Sequence, residues 1–156
     1  MGLDMYLSAK RYISRHFNES DAEKAEAIQK LFPELAEIPG KFGDASPVKE
    51  VSIDAGYWRK ANAIHDWFVR ECQDGVDECK PHYVSRDKLR QLKESCEEVL
   101  IKRDKASELL PTTSGFFFGS TTYDKYYYED LQQTIEIVDR CLTLPEAWEF
   151  EYCSSW

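Results

Sequence analysis

Apolar and polar positions alternate loosely from Met5 to Ile13, a stretch rich in Tyr, Leu and Ile, which predicts an opening β-strand. Ser20-Asp21-Ala22-Glu23 has the Ser-x-x-Glu form of a capping box before an alanine-rich run reaching Leu31 and Phe32. A first helix is predicted there, stopped by Pro33 and by Pro39-Gly40. After a loop over Lys41 to Pro47, Val51, Ile53 and Ala55 fall on one side at period two, so Val48 to Ala55 reads as a second strand. Gly56 punctuates it, and a second helix is predicted from about Tyr57 to Cys72. Gln73 to Pro81 is a polar connection, and His82-Tyr83-Val84 is a short strand at most. Ser85 can cap the next helix, in which Leu89, Leu92, Cys96, Val99 and Leu100 recur at helical spacing. A last helix is predicted over about Tyr123 to Leu142, with Leu131, Ile135, Val138 and Leu142 on its core face. Trp148, Phe150 and Tyr152 then alternate with Glu149, Glu151 and Cys153, the pattern of a terminal strand.

Strands and helices in this order, without regular βαβ alternation, predict an α+β fold. The expectation is a small, mainly antiparallel sheet with about four helices packed on it, built as a single compact domain over residues 1–156. A chain of 156 residues is long enough to bury a core without covalent staples.

Charge narrows the partners. The formal net charge is -9, so long nucleic acid is not expected as a ligand, because that affinity comes from neutralising phosphates with Lys and Arg. A small anion in a local basic pocket remains compatible, with Lys10, Arg11, Arg15, Arg59 and Lys60 as candidate cations. No apolar run approaches the roughly 20 residues of a membrane span, and an acid at Asp4 replaces the basic start of a signal peptide. A cytoplasmic location with no membrane partner is expected. The five cysteines, an odd number, read as reduced thiols. Cys72, Cys79 and His82 could ligate zinc, but their spacing matches no standard knuckle, so neither a metal nor a cofactor is expected.

Aromatics make up 13% of the chain, enough for a surface that grips planar ligands. Within the predicted second helix, Tyr57, Ala61, Ile64, Phe68 and Cys72 form the core stripe at about 100° per residue. Trp58, Asn62 and His65 form a row on its flank: a ring for stacking beside donors and acceptors, with Arg59 and Lys60 supplying charge. The competing structural reading has Trp58 at the core edge, with Asn62 and His65 satisfying nearby backbone groups. Gly115-Phe116-Phe117-Phe118-Gly119-Ser120-Thr121-Thr122 offers a second surface. In a strand, Phe116 and Phe118 would share one side, and Ser120 and Thr121 would stand at the entrance of the last helix, where amides attract anions. Asp124 in the first turn opposes an anion there, which favours a structural cap. Phosphate-loop, nucleophile-elbow and zinc-helix motifs are absent, and His16, His65 and His82 are scattered. No catalytic set is assigned.

The start Gly2-Leu3-Asp4-Met5-Tyr6, the run Tyr57-Trp58-Arg59-Lys60-x-Asn62-x-x-His65, the Phe-Phe-Phe core of Pro111 to Gly119 and the ending Tyr152-Cys153-Ser154-Ser155-Trp156 together resemble a widespread family of small bacteriophage and bacterial proteins. The motifs span the chain. The ending departs from the family pattern, carrying one tryptophan where relatives often have two. Some members bear the label phosphoglycerate kinase, which implies a two-domain enzyme that 156 residues without a nucleotide loop cannot build. The resemblance implies a phage-like origin, and small phage proteins of this kind often act by binding host molecules, including nucleotide signals of antiviral defence. The expectation is therefore a non-enzymatic, homo-oligomeric binding protein of the host cytoplasm. It would sequester a small anionic aromatic ligand, specifically a cyclic nucleotide signal, through Trp58, Arg59, Lys60, Asn62, His65, Phe116, Phe118, Ser120 and Thr121. The alternatives are an acidic inhibitor docking on a host enzyme, or a small nucleotide- or metabolite-acting enzyme with His65 as general base.

Overall fold

The computed structural model describes residues 2–14, 19–40 and 46–156. Arg15, His16 and most of the loop predicted from Lys41 lie outside the described residues. The fold is mixed α+β, with a four-stranded antiparallel sheet and about five helices around it. The strands are β1 (Asp4–Tyr12), β2 (Glu50–Arg59), β3 (His82–Val84) and β4 (Glu149–Ser155), in the order β2-β1-β4-β3. The helices are α1 (Glu19–Leu31), α2 (Asn62–Cys72), α3 (Arg86–Ile101), the single turn α4 (Ala106–Leu109) and α5 (Lys125–Thr143). The chain forms two compact units, one of Met1–Ala9 with Ile53–Trp156 and one of Lys10–Ser52.

In the larger unit, alternation puts Leu3, Met5, Leu7 and Ala9 of the β1 segment inward, all fully buried. Phe150 and Tyr152 of β4 join them, with Val84 of β3 held antiparallel to Phe150 and His82 to Tyr152. Helices close this core with Ile64, Trp67 and Phe68 of α2, Leu89, Leu92, Cys96 and Val99 of α3, and Tyr127, Leu131, Ile137 and Val138 of α5. Ser85 caps α3 as expected, its hydroxyl accepting from the Lys88 amide at 3.1 Å. Gly56 lets β2 meet α5: a Cβ there would lie 2.5 Å from Cγ2 of Ile137.

In the smaller unit, Asp21 at the start of α1 organises the local polar contacts. It accepts from Arg11 at 2.6 Å and from the Ser14 amide at 3.3 Å. The Ile13 amide donates to the Lys49 carbonyl at 2.8 Å.

Three expectations about local structure need correction. The second helix does not begin at Tyr57: β2 runs on through Arg59, and Lys60 turns the chain with φ of 60° before α2 starts at Asn62. The final rung, Lys60 N–H to the Leu3 carbonyl at 2.8 Å, outcompetes the helical option for Tyr57, Trp58 and Arg59. The phenylalanine run is a turn rather than a strand, closed by Phe118 N–H to the Gly115 carbonyl at 3.2 Å, with Phe117 at φ of 69°. The last helix is capped by Asp124, whose carboxylate accepts from the Tyr126 and Tyr127 amides, so Ser120 and Thr121 stand outside it.

Candidate functional site

Because Trp58 sits on a strand, it shares no helical row with Asn62 and His65. It is fully buried, packs edge-on against Phe68 at 5.9 Å, and donates its indole N–H to Thr134 Oγ1 at 2.9 Å. A ring enclosed in this way offers no face for a ligand. Asn62 is also committed. Its amide group donates to the carbonyls of Phe118 at 3.2 Å and Ser120 at 2.8 Å, and its oxygen accepts from the Thr113 amide at 3.1 Å. It fastens the 112–120 loop to the start of α2, satisfying backbone groups that would otherwise be orphaned.

His65, one turn further along α2 and 2% exposed, meets partners from distant parts of the chain. Its Nε2 lies 2.9 Å from Asp77 Oδ2, and its Nδ1 lies 2.8 Å from the Tyr152 hydroxyl. A carboxylate only accepts, so the neutral ring donates from Nε2 and Nδ1 accepts the tyrosine proton. Desolvation holds the His65 pKa below the ordinary histidine range against the pull of Asp77. Asp77 accepts further from Ser154 at 3.1 Å and from the Trp156 indole at 2.6 Å. Phe118, 8% exposed, packs edge-on to His65 at 5.2 Å and to Trp156 at 6.0 Å. His65, Phe118 and the 152–156 segment therefore do meet, but as a packed and hydrogen-bonded cluster in which both His65 nitrogens are engaged. Phe116 has no ring contact with this cluster among the described residues and is 79% exposed.

A cavity of about 390 Å³ opens beside this cluster. Its lining includes Arg59, Lys60, Asn62, Ser120, Thr122, Asp124, Tyr126 and Asp130. Four of the residues expected at the site, Arg59, Lys60, Asn62 and Ser120, thus line one pocket, whereas Trp58, His65, Phe116, Phe118 and Thr121 do not. Thr121 is exposed, and its carbonyl accepts from the Thr112 hydroxyl at 2.9 Å.

Two physical signals converge on this pocket. Lys60 holds a left-handed backbone that a side chain adopts at a cost, of the sort found at ligand sites. Gly119, itself at φ of 92°, fits against it, because a Cβ there would sit 3.2 Å from Lys60 Cβ. The second signal is Asp130, whose carboxyl is pushed up to about 7 by burial, with smaller contributions from Glu129 and Asp124. Its carbonyl accepts from the Thr134 hydroxyl at 2.7 Å, but its carboxyl makes no hydrogen bond or ion pair among the described residues. Asp124 behaves oppositely: the Tyr127 amide first, then the Thr122 hydroxyl and Tyr126 amide, hold its carboxylate below the usual range.

Asp130, Asp124, Thr122 and Tyr126 were not among the expected site residues. Asp130 had a readable signal, an acid set within the apolar stripe of α5 between Tyr127, Leu131 and Thr134. Asp77 had none, since it is one acid in a polar connection. Among the described residues, no group of three or more His, Cys, Asp or Glu side chains could hold a metal ion, and no helix is long and apolar enough to cross a membrane. No family model, curated protein or solved structure matches the chain.

Proposed function

We propose that the chain is a binding protein for a small nucleotide-type anion, held non-covalently in the pocket at the β2–α2 turn. The observation that carries this reading is the meeting of Arg59 and the strained Lys60 with the partly buried Asp130 carboxyl in one cavity. Its volume of about 390 Å³ lies in the range of small-molecule sites. The Lys60 ammonium makes no ion pair among the described residues, and Arg59, exposed and paired with Asp4 only at 4.0 Å through Nε, keeps N–H donors for a phosphate. Tyr126, exposed at the cavity wall, supplies a ring for a planar base in the role first expected of Trp58. A ligand retained there without turnover is sequestered, and a cyclic nucleotide signal is the narrower form of this reading.

Calorimetric titration against a panel of linear and cyclic nucleotides tests it. Micromolar binding by at least one of them, lost in Lys60→Gly, is the expected result. Absence of heat across the panel at protein concentrations well above micromolar sinks the proposal.

One observation favours a second reading, docking on a host protein. Phe116 and Phe117 stand exposed at 79% and 45%, ring against ring at 4.3 Å, with Phe117 in the left-handed region. Exposed paired aromatics suit an interface anchor, and the charge of -9 suits a basic partner. A partner captured from host lysate by the wild type, but not by a Phe116→Ser, Phe117→Gly double variant, would favour docking. Equal capture by both would remove it.

A further inference from the structure

The polar groups of the β2–α2 pocket divide into those already engaged and those still open. Asn62 has both its N–H bonds and its oxygen committed to the 113–120 loop. Asp124 is occupied by the Tyr126 and Tyr127 amides and the Thr122 hydroxyl. The Ser120 and Thr122 hydroxyls bond each other at 2.7 Å. What remains is Lys60, the part of the Arg59 guanidinium that its 4.0 Å pair with Asp4 leaves over, the exposed Tyr126 ring and the Asp130 carboxyl. Asp130 is partly buried, and its carboxyl has no donor among the described residues, so both oxygens are free to accept from a ligand.

We propose that Asp130 determines which base the pocket accepts, taking the paired N–H donors of a guanine-type edge while Lys60 and Arg59 hold the phosphate. This rests on nucleotide binding at the same pocket. An ionised carboxylate is acceptor-only and presents two oxygens side by side. Guanine carries adjacent donors at N1 and N2 on its pairing edge, so both oxygens are satisfied at once. Adenine alternates a donor with an acceptor, and the acceptor would face a carboxylate oxygen, leaving both unpaired. Selectivity of this kind belongs to the charged form of Asp130. The other charged or titratable groups about it are Glu129, Tyr126 and Tyr127 on α5, Asp124 at its cap, and Arg59 and Lys60 from the end of β2. Burial brings the Asp130 carboxyl to about 7, so the preference is full above that pH and fades as the carboxyl takes up a proton.

The experiment is a calorimetric titration of GMP, IMP and AMP into the wild type and Asp130→Asn, at about pH 8 and about pH 6. GMP is expected to bind the wild type about tenfold tighter than AMP at the higher pH, the size of one bidentate base contact. At the lower pH the margin shrinks, and in Asp130→Asn it disappears. IMP, which lacks the 2-amino group, needs no variant and should fall toward AMP. Equal binding of GMP and AMP by the wild type at the higher pH overturns the role of Asp130 while leaving nucleotide binding standing. An undiminished preference in Asp130→Asn does the same. Failure of all three to bind, with Lys60→Gly indistinguishable from the wild type, overturns both.

Discussion

Lys60 occupies a backbone conformation that glycine adopts freely, with φ of 60°. Replacing it with glycine removes the ammonium and the strain together, so binding and stability should part company. Lys60→Gly is expected to melt no lower than the wild type while losing its nucleotide ligand, measured by thermal denaturation and calorimetry on one preparation. A melting temperature several degrees lower would show that the side chain is structural. Asp130 and His65 make a second residue-scale prediction, with opposite signs. Asp130 has its folded pKa raised to about 7, so the native state binds its proton more tightly than the unfolded chain does. Its stabilising contribution is complete below the unfolded value near 3.9 and is lost as pH rises through about 7. Asp130→Asn should therefore be more stable than the wild type at pH 8, by about 1 kcal/mol after allowing for solvent screening, and no more stable at pH 4. His65 has its folded pKa depressed by desolvation, so its contribution is present above about pH 6.5 and declines on acidification. Melting temperatures of Asp130→Asn between pH 6.5 and about 5, above the range in which the Asp21, Glu78 and Asp124 carboxylates take up protons, follow that decline, and a flat profile there would contradict a neutral His65.

At the scale of elements, the contact between β2 and α5 is decided by one missing side chain. A Cβ on Gly56 would stand 2.5 Å from Cγ2 of Ile137, a branched and buried side chain with little room to move. Gly56→Ala is expected to cost about 1–3 kcal/mol by overpacking, read as a lower denaturation midpoint with an unchanged slope. A compensating Ile137→Val change leaves Cγ2 in place, so it should restore little, whereas Ile137→Ala removes the clashing methyl and should recover part of the loss. The same strand shows how competition among elements moves a boundary. Tyr57 fits a helical stripe with Ile64 and Phe68, and Trp58 a flank row with Asn62 and His65, yet pairing with β1 claims both through the Lys60 to Leu3 rung. Helical periodicity counts apolar positions; it does not register a neighbouring strand with open carbonyls. The start of α5 shifted for a related reason. Thr121 and Asp124 are both acceptable caps by residue type, and the chain uses Asp124 because two amides reach its carboxylate.

Across the whole molecule, the surplus of acids sets the long-range field and a few cations set the local one. With 29 Asp and Glu against 20 Lys and Arg, duplex DNA should not be retained even at low salt, while the proposed binding of a mononucleotide should persist. Retardation of duplex DNA in a gel shift at low ionic strength would contradict this. Much of the architecture is written in short-range pattern: the alternation of β1 and β4, the Ser85 cap and the stripe of α3 stand where period and residue type put them, while the buried face of α5 keeps Leu131 and Val138 but turns toward Tyr127, Thr134, Ile137 and Cys141, leaving Ile135 and Leu142 half-buried. Those features are legible because they depend on neighbours within a few residues. The candidate pocket was legible in part. Arg59, Lys60, Asn62 and Ser120 are at the pocket wall, whereas Trp58 was assigned to it by a helical row that the strand abolishes. Asp130 joins the pocket, and Asp77 reaches His65 across the fold, for reasons that no local pattern carries. Burial is a property of the packed molecule, and it converts Asp130 from one acid among 29 into a carboxyl poised near neutrality. The sequence alone determined the α+β composition, its hydrophobic faces and the sign of its charge, since each follows from local period and composition. Which aromatic ring is core, which loop meets α2 and which carboxyl is buried at the pocket were decided by tertiary packing, because those outcomes depend on residues tens of positions apart arriving at the same place.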